Sequence, residues 1–263
     1  MEIALHPHVP SDRPASASSE PRVSILIPAL NEARNIPHVF SRLPDDVFEV
    51  VLVDGGSVDE TVEVARSLRP HVRVVQQNGR GKGNAIACGL AACEGEIVVM
   101  IDADGSTDAA EIPRFVEALK SGADFAKGSR FMSGGGSRDI TALRRTGNRF
   151  LCGLVNLLYG TRYTDLCYGF NAFWRSSLQR VHVDCDGFEV ETLLSVRASR
   201  LGLATIEVPS YESCRIHGES NLRTFPDGWQ VLKTILRERL KRADLSVSAP
   251  AAPGPPHRSS WSK

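Results

Sequence analysis

Four short apolar runs, each closed by a turn-forming or acidic cluster and followed by a stretch of helical character, constrain this chain more than any other feature. Val23-Ser24-Ile25-Leu26-Ile27 stops at Pro28, and Phe48-Glu49-Val50-Val51-Leu52-Val53 ends in Asp54-Gly55-Gly56. Residues 72–75 form a third run, and Glu96-Ile97-Val98-Val99-Met100-Ile101 ends in Asp102-Ala103-Asp104. Runs this short and this uniformly apolar are those of strands buried on both faces. Alternation with helical patterns argues for an α/β fold, a mostly parallel Rossmann-like sheet with helices on both faces. In such sheets ligands bind outside the carboxyl ends of the strands, where Pro28, Asp54 and Asp102 all fall.

The helical stretches carry their own start signals. Asn35-Ile36-Pro37 opens a helix with Asn35 as its cap and proline in the first turn. Ser57-Val58-Asp59-Glu60 has the form of a capping box, which would leave Asp54 to meet a ligand. Asp108-Ala109-Ala110-Glu111 caps a helix running to about Lys120, and a short strand over residues 124–127 leads into Gly128-Ser129-Arg130. Gly134-Gly135-Gly136 reads as a mobile loop. Strands are expected over residues 167–174 and 204–208, with a helix over residues 188–201 between them.

Two carboxylates two residues apart at the mouth of a buried strand should turn to the same side. Hard cations such as Mg²⁺ or Mn²⁺ take oxygen ligands from one or two carboxylates and complete their shell with substrate phosphates. Asp102 and Asp104 therefore point to a metal-dependent enzyme acting on a nucleotide diphosphate. Gly79-Arg80-Gly81-Lys82-Gly83 is not a Walker loop, since Gln76 and Gly83 stand where it needs Gly and Ser/Thr. Nor is it a dinucleotide fingerprint, which would need a small residue at Ile86. It is a plain turn, or a turn opening a helix whose N-terminus attracts an anion. Glu189 and Glu191 sit about 200° apart on a helix, so only one can face a site. Arg215-Ile216-His217-Gly218-Glu219-Ser220-Asn221-Leu222-Arg223 joins cations to turn formers, and an Arg fork suits a diphosphate; His217 carries no catalytic assignment.

Lysine plus arginine and aspartate plus glutamate balance at 31 each, so no nucleic-acid footprint is present. Six cysteines without metal-ligand spacing fit a reduced, cytoplasmic protein. Residues 1–21 and 244–263 are rich in Pro, Ser and Ala and are expected to be disordered tails around one domain, residues 22–243. The apolar stretch 150–159, preceded by Arg144, Arg145 and Arg149, is about half of the ~20 residues that span a bilayer. Trp229, Leu232, Ile235, Leu236 and Leu240 form a stripe among Lys233, Arg237, Arg239, Lys241 and Arg242. That pattern suits either a core-packing helix or a basic amphipathic helix on anionic lipid.

Jointly, Ile25-Leu26-Ile27-Pro28-Ala29-Leu30-Asn31-Glu32, Val53-Asp54-Gly55-Gly56-Ser57-Val58-Asp59-Glu60-Thr61, Gly81-Lys82-Gly83, Asp102-Ala103-Asp104 and Gly128-Ser129-Arg130 resemble glycosyltransferase family 2, the inverting enzymes of the GT-A fold. The resemblance runs from about Val23 to Leu240. It implies a nucleotide diphosphate-sugar donor, with Pro28, Ala29, Asn31, Glu32 and Asp54 about the nucleoside and Lys82, Asp102 and Ala103 near the donor. Asp102 and Asp104 would hold Mg²⁺ or Mn²⁺. The second half is most similar to the polyprenyl-phosphate branch, in Thr164-Asp165, Gly169-Phe170, Phe188-Glu189-Val190-Glu191, Glu207-Val208-Pro209 and Arg215 with Gly218-Glu219-Ser220-Asn221-Leu222. Asn221 replaces a lysine frequent there.

The reaction implied is inverting transfer of a sugar to polyprenyl phosphate, with contact at the cytoplasmic membrane face but no insertion. Arg130 and Arg215 would share the charge of the leaving diphosphate. A phosphate acceptor is already ionised and needs no strong base. A hydroxyl acceptor on a small molecule, protein or glycan would need one, with Glu191 the candidate and Glu189 in reserve. A sugar-1-phosphate nucleotidyltransferase would carry a Gly-rich, Arg-containing loop in place of Pro28-Ala29-Leu30-Asn31. A non-catalytic nucleotide-binding protein would not need Asp102, Asp104 and Glu191 together.

Overall fold

The computed structural model describes residues 20–241, so the segments read as tails lie outside the described residues but for Glu20 and Pro21, as does Arg242. In chain order the elements are β1 (Val23–Ala29), α1 (Ile36–Phe40), β2 (Glu49–Asp54), α2 (Thr61–Leu68), β3 (Arg73–Gln76), α3 (Gly81–Ala92) and β4 (Ile97–Met100). A 3-10 turn (Ala109–Glu111) leads to α4 (Ile112–Lys120), β5 (Phe125–Ser129), β6 (Gly136–Ser137), α5 (Ala142–Tyr159), β7 (Asn171–Trp174) and α6 (Arg175–Arg180). The chain continues through α7 (Val190–Arg200), β8 (Thr205–Pro209), β9 (Tyr211–Glu212) and α8 (Thr224–Leu240).

Seven strands form one sheet in the order β3-β2-β1-β4-β7-β5-β8, in which only β7 runs against its neighbours. The strand period of two divides the core between the faces. Ile25, Ile27, Leu52, Val99 and Ala126 pack with α1 and α4, while Leu26, Val51, Val53, Val98 and Phe173 pack with α3, α6 and α7. Helices thus cover both faces, as the uniformly apolar runs require. Phe125 and Phe173, cross-strand partners in β5 and β7, stack with centroids 4.0 Å apart on the second face. A third apolar cluster joins α5, α7 and α8 through Leu151, Val155, Val196, Val231 and Ile235.

Several local expectations change. Asn35 makes no cap bond to α1; its side chain instead bonds Glu32 at 2.5 Å and the His217 backbone at 3.1 and 3.0 Å, tying two loops together. Ser57 does not cap α2, whose first turn is set by Asp59 accepting from the Thr61 amide. The glycine run 134–136 is built into structure: Gly136–Ser137 pairs with Tyr211–Glu212. The strand expected over 167–174 is only Asn171–Trp174. On α8 the buried positions are Val231, Thr234, Ile235 and Glu238, so most of the expected stripe is not a core face. Trp229 is 57%, Leu236 45% and Leu240 83% exposed. Glu238 is instead the buried hub for Arg197, Arg200 and Lys241, at 2.8, 3.0 and 3.0 Å, fastening α8 to α7. All six cysteines are unpaired.

Candidate active site

The carboxyl ends of β1 and β4 and the entry to the reversed β7 meet at one edge of the sheet, above a cleft of about 970 Å³. Because β7 is antiparallel, the residues before it rather than after it reach this edge: Asn171 pairs with Met100, the last residue of β4. Gly169 consequently lies against Asp102, where a Cβ would stand 2.3 Å from Asp102 Oδ2. Pro28, Ala29, Glu32, Lys82, Asp102, Ala103, Asp104, Arg130, Glu191 and Arg215 all line the cleft. Asn31, Asp54 and Glu189 do not.

Asp54 is almost fully buried and fully engaged. It accepts from the Ser57 amide at 3.1 Å and from Gln76 Nε2 at 3.0 Å. Burial alone would raise its pKa, but these bonds and the Gly56 amide outweigh it and hold the carboxyl below its usual range. The expectation that Ser57 would release Asp54 is therefore reversed, since Ser57 is what binds it. Asn31 adopts a left-handed backbone (φ 57°), its backbone amide donating to Ser57 Oγ and its side-chain Oδ1 accepting from the Val58 amide. Neither lines the cleft, and both bond into the loop of residues 54–58.

The glycine-rich turn also has a local cause. The Gly83 amide donates to the Asp186 carbonyl at 2.8 Å, and a Cβ on Gly83 would lie 2.3 Å from the Cys185 carbonyl oxygen. Backbone therefore occupies the start of α3, in place of the anion the sequence suggested there. What the turn delivers to the cleft is Lys82. Its Nζ lies 2.6 Å from Asp102 Oδ1 and 2.7 Å from Glu191 Oε1, with the side chain 13% exposed. Burial would depress its pKa, but the two carboxylates outweigh burial and keep it protonated.

Across the cleft Arg215 makes the matching arrangement. Its Nη1 donates to Glu32 Oε1 at 3.0 Å and its Nη2 lies 3.5 Å from Asp104 Oδ2. Burial outweighs the Asn35 and Arg215 contacts and raises the Glu32 pKa. Asp104 Oδ1 accepts from the Ser106 amide at 2.9 Å and hydroxyl at 2.7 Å, leaving Oδ2 toward the cleft. Of the glutamate pair, Glu191 on the first turn of α7 faces inward, whereas Glu189 bonds the Gly187 amide and faces a separate hollow beside α8.

Arg130 reaches the cleft wall with its donors committed. Its Nε bonds Asp165 Oδ2 at 2.7 Å, and Nη1 bonds both Glu212 oxygens at 3.1 Å. It also lies over the Tyr168 ring, 4.9 Å from the centroid. Asp165 carried a sequence signal in Thr164-Asp165, but Glu212, a lone acid in a short strand, carried none.

The residues present fit a hard divalent cation. The donors are carboxylate oxygens alone, and Asp102 and Asp104 both line the cleft. No group of three or more His, Cys, Asp or Glu that could hold a metal occurs among the described residues, so substrate oxygens would have to complete the shell. Away from this charged end the cleft becomes apolar, running between α5 and α8 past Leu143, Phe150, Leu151, Phe225 and Val231. Leu143, Phe150 and Phe225 are 54%, 65% and 76% exposed. No helix among the described residues is long and apolar enough to cross a membrane.

The model of a family described as "Glycosyl transferase family 2" matches residues 24–181. Glycosyltransferase AglJ of Haloferax volcanii is 34% identical over 82% of this chain and 71% of its own. Dolichol-phosphate mannosyltransferase of Pyrococcus furiosus is 30% identical over 77% of this chain, which spans 59% of that relative. Among solved structures, glucosyl-3-phosphoglycerate synthase from Mycobacterium tuberculosis, in complex with Mn²⁺, uridine diphosphate and phosphoglyceric acid, superposes with a TM-score of 0.66. It is 27% identical over 83% of this chain and 78% of that one. The α/β arrangement expected from the sequence is the one observed.

Proposed function

Because this chain belongs to glycosyl transferase family 2, we propose that it transfers a sugar, with inversion, from a nucleotide diphosphate-sugar to the phosphate of a polyprenyl carrier. The observation that carries this reading is the continuity of one cleft, charged at Asp102, Asp104, Lys82 and Arg215 and apolar between α5 and α8. An acceptor with an anionic head and an isoprenoid tail matches both ends. The charged end suits a diphosphate, with Pro28, Ala29 and Glu32 beside its nucleoside.

Asp102 and Asp104 would hold Mg²⁺ or Mn²⁺, which when bound stabilises the charge developing on the leaving diphosphate. Arg215 and Lys82 bring cationic donors to the same place. Arg130, clamped by Asp165 and Glu212, positions the wall instead of sharing that charge. Glu191 Oε1 is taken up by the Lys82 ammonium at 2.7 Å rather than left open to a hydroxyl. That favours an acceptor that arrives ionised over a hydroxyl that must lose a proton.

A soluble acceptor remains the second reading, favoured by the M. tuberculosis glucosyl-3-phosphoglycerate synthase likeness. The exposed Phe150, Phe225, Trp229 and Leu240 favour the lipid reading, with the protein resting on the cytoplasmic membrane face. The deciding experiment measures nucleotide release by purified protein from UDP-, GDP- and dTDP-sugars, with and without polyprenyl phosphate. Release that depends on polyprenyl phosphate is expected. Equal release with a water-soluble hydroxyl acceptor would favour the second reading, with Glu191 as base.

A further inference from the structure

The two aspartates at the end of β4 are not bare. Lys82 joins Asp102 to Glu191, at 2.6 and 2.7 Å, and Arg215 joins Asp104 to Glu32, at 3.5 and 3.0 Å. Each cation thus straddles one aspartate and one glutamate, and in each case the glutamate is the more buried partner. The side chains of Glu191 and Glu32 are 3% and 7% exposed, against 28% and 20% for Asp102 and Asp104. An ammonium on Asp102 Oδ1 repels a second cation brought to the same carboxylate. A nucleoside diphosphate changes that balance, because it offers both cations new oxygen acceptors.

We propose that Lys82 and Arg215 are resident counter-ions that hold Asp102 and Asp104 in the donor-free site and release them to a divalent cation only as the donor diphosphate arrives, swinging on Glu191 and Glu32 to meet it. The proposal rests on the reading of the cleft as a nucleotide diphosphate-sugar site. It makes Glu191 and Glu32 positioning residues that keep each cation at the cleft after its aspartate is given up. Divalent cation and nucleotide then bind with positive coupling, each raising the other's affinity by the same factor. The two exchanges are unequal, since the Lys82 contact is the closer.

The test needs neither nucleotide nor acceptor. Binding of Mn²⁺ alone is followed by the electron paramagnetic resonance signal of the free ion. The wild type is compared with Lys82→Met and with the double variant Lys82→Gln/Glu191→Gln, which removes one charge of each sign and so leaves the net charge of the site unchanged. Both variants should bind bare Mn²⁺ at least tenfold more tightly than the wild type. Adding Asp102→Asn should abolish the gain, and Lys82→Arg should show none. Wild-type or weaker Mn²⁺ affinity in both Lys82 variants overturns the proposal. So does a gain that survives Asp102→Asn. Failure of the functional reading shows separately, as a wild-type protein that binds no UDP, GDP or dTDP in calorimetry with Mn²⁺ present.

Discussion

Arg130 and Asp165 form a two-point ion pair, with Nε 2.7 Å from Oδ2 and Nη2 3.0 Å from Oδ1. Both side chains are almost wholly withdrawn from water, at 8% and 0% exposure. Burial raises the Asp165 pKa, but Arg130 outweighs it and keeps the carboxyl ionised. Removing the guanidinium leaves the buried Asp165 carboxylate with backbone amides but without its paired cation, so Arg130→Ala should cost about 3–5 kcal/mol of stability. Urea unfolding checks this. A variant as stable as the wild type but defective in donor binding would return Arg130 to the diphosphate.

Asp104→Asn should keep the fold while removing activity. The side chain is partly exposed and its Ser106 bonds can be kept by an amide oxygen. Loss of a key electrostatic group corresponds to ~3 kcal/mol or more in transition-state stabilisation. Turnover in EDTA should fall to the same level, and near-wild-type turnover there would exclude the metal and the role of this pair together.

Glu238 sets an acid dependence. Burial pushes its pKa up, but Arg197 and Lys241 outweigh it and bring the carboxyl down to about 2. A depressed carboxylate contributes stability that is whole above its unfolded pKa, near 4.5, and is lost as pH falls from there toward 2. Glu238→Gln should therefore be less stable than wild type by on the order of 2–3 kcal/mol at pH 7. Thermal unfolding should show that gap narrowing steadily below pH 4.5, and a gap constant down to pH 3 would contradict the assignment.

At Gly83 a methyl group collides with the Cys185 carbonyl, so Gly83→Ala should cost roughly 1–3 kcal/mol and weaken nucleotide binding by moving Lys82. Gly153, in the middle of α5 with open space where its Cβ would stand, is the control. Gly153→Ala should gain about 0.5–1 kcal/mol through helix propensity. Differential scanning fluorimetry and calorimetry with a nucleoside diphosphate read both effects.

Membrane contact should show as sedimentation with anionic liposomes at low salt and release at high salt. Arg237 lies 3.5 Å from Asp184 and 3.6 Å from Glu238, so it serves the α7–α8 junction as well as the surface. Lys233→Gln/Arg239→Gln with Trp229→Ser is the cleaner variant and should bind weakly. A wild type that stays in the supernatant at every salt concentration would remove the lipid reading.

The sheet was legible because its signal is local: Ile25, Leu26 and Ile27 are apolar on both faces, and no exposed strand would be. Asp102 and Asp104 were legible for the same reason, as a break in polarity at a strand end. Partnerships were not. Nothing near Lys82 in sequence announces Glu191, 109 residues on, and nothing near Arg130 announces Glu212. Asp54 and Asn31 look alike to a motif whether they face a ligand or a loop, and only the Ser57 bonds decide between them. The α8 stripe left a core face and a lipid-facing face open; Trp229, Leu236 and Leu240 are exposed, and the buried face is built on Glu238, an acid that periodicity does not place in a core.

The reversal of β7 gives the two edges of the sheet different tolerances for change. One edge collects the ends of β1, β4 and β5 together with the entry to β7, so a lengthened loop there disturbs several partners at once. The opposite edge carries the α4–β5 turn, separated from Asp102 by at least a four-residue strand, about 13 Å. A fluorescent reporter attached at the exposed Ser121, ahead of the buried Ala123 and Asp124 that bond Trp174 and Ala204, would ride on the molecule without entering its chemistry.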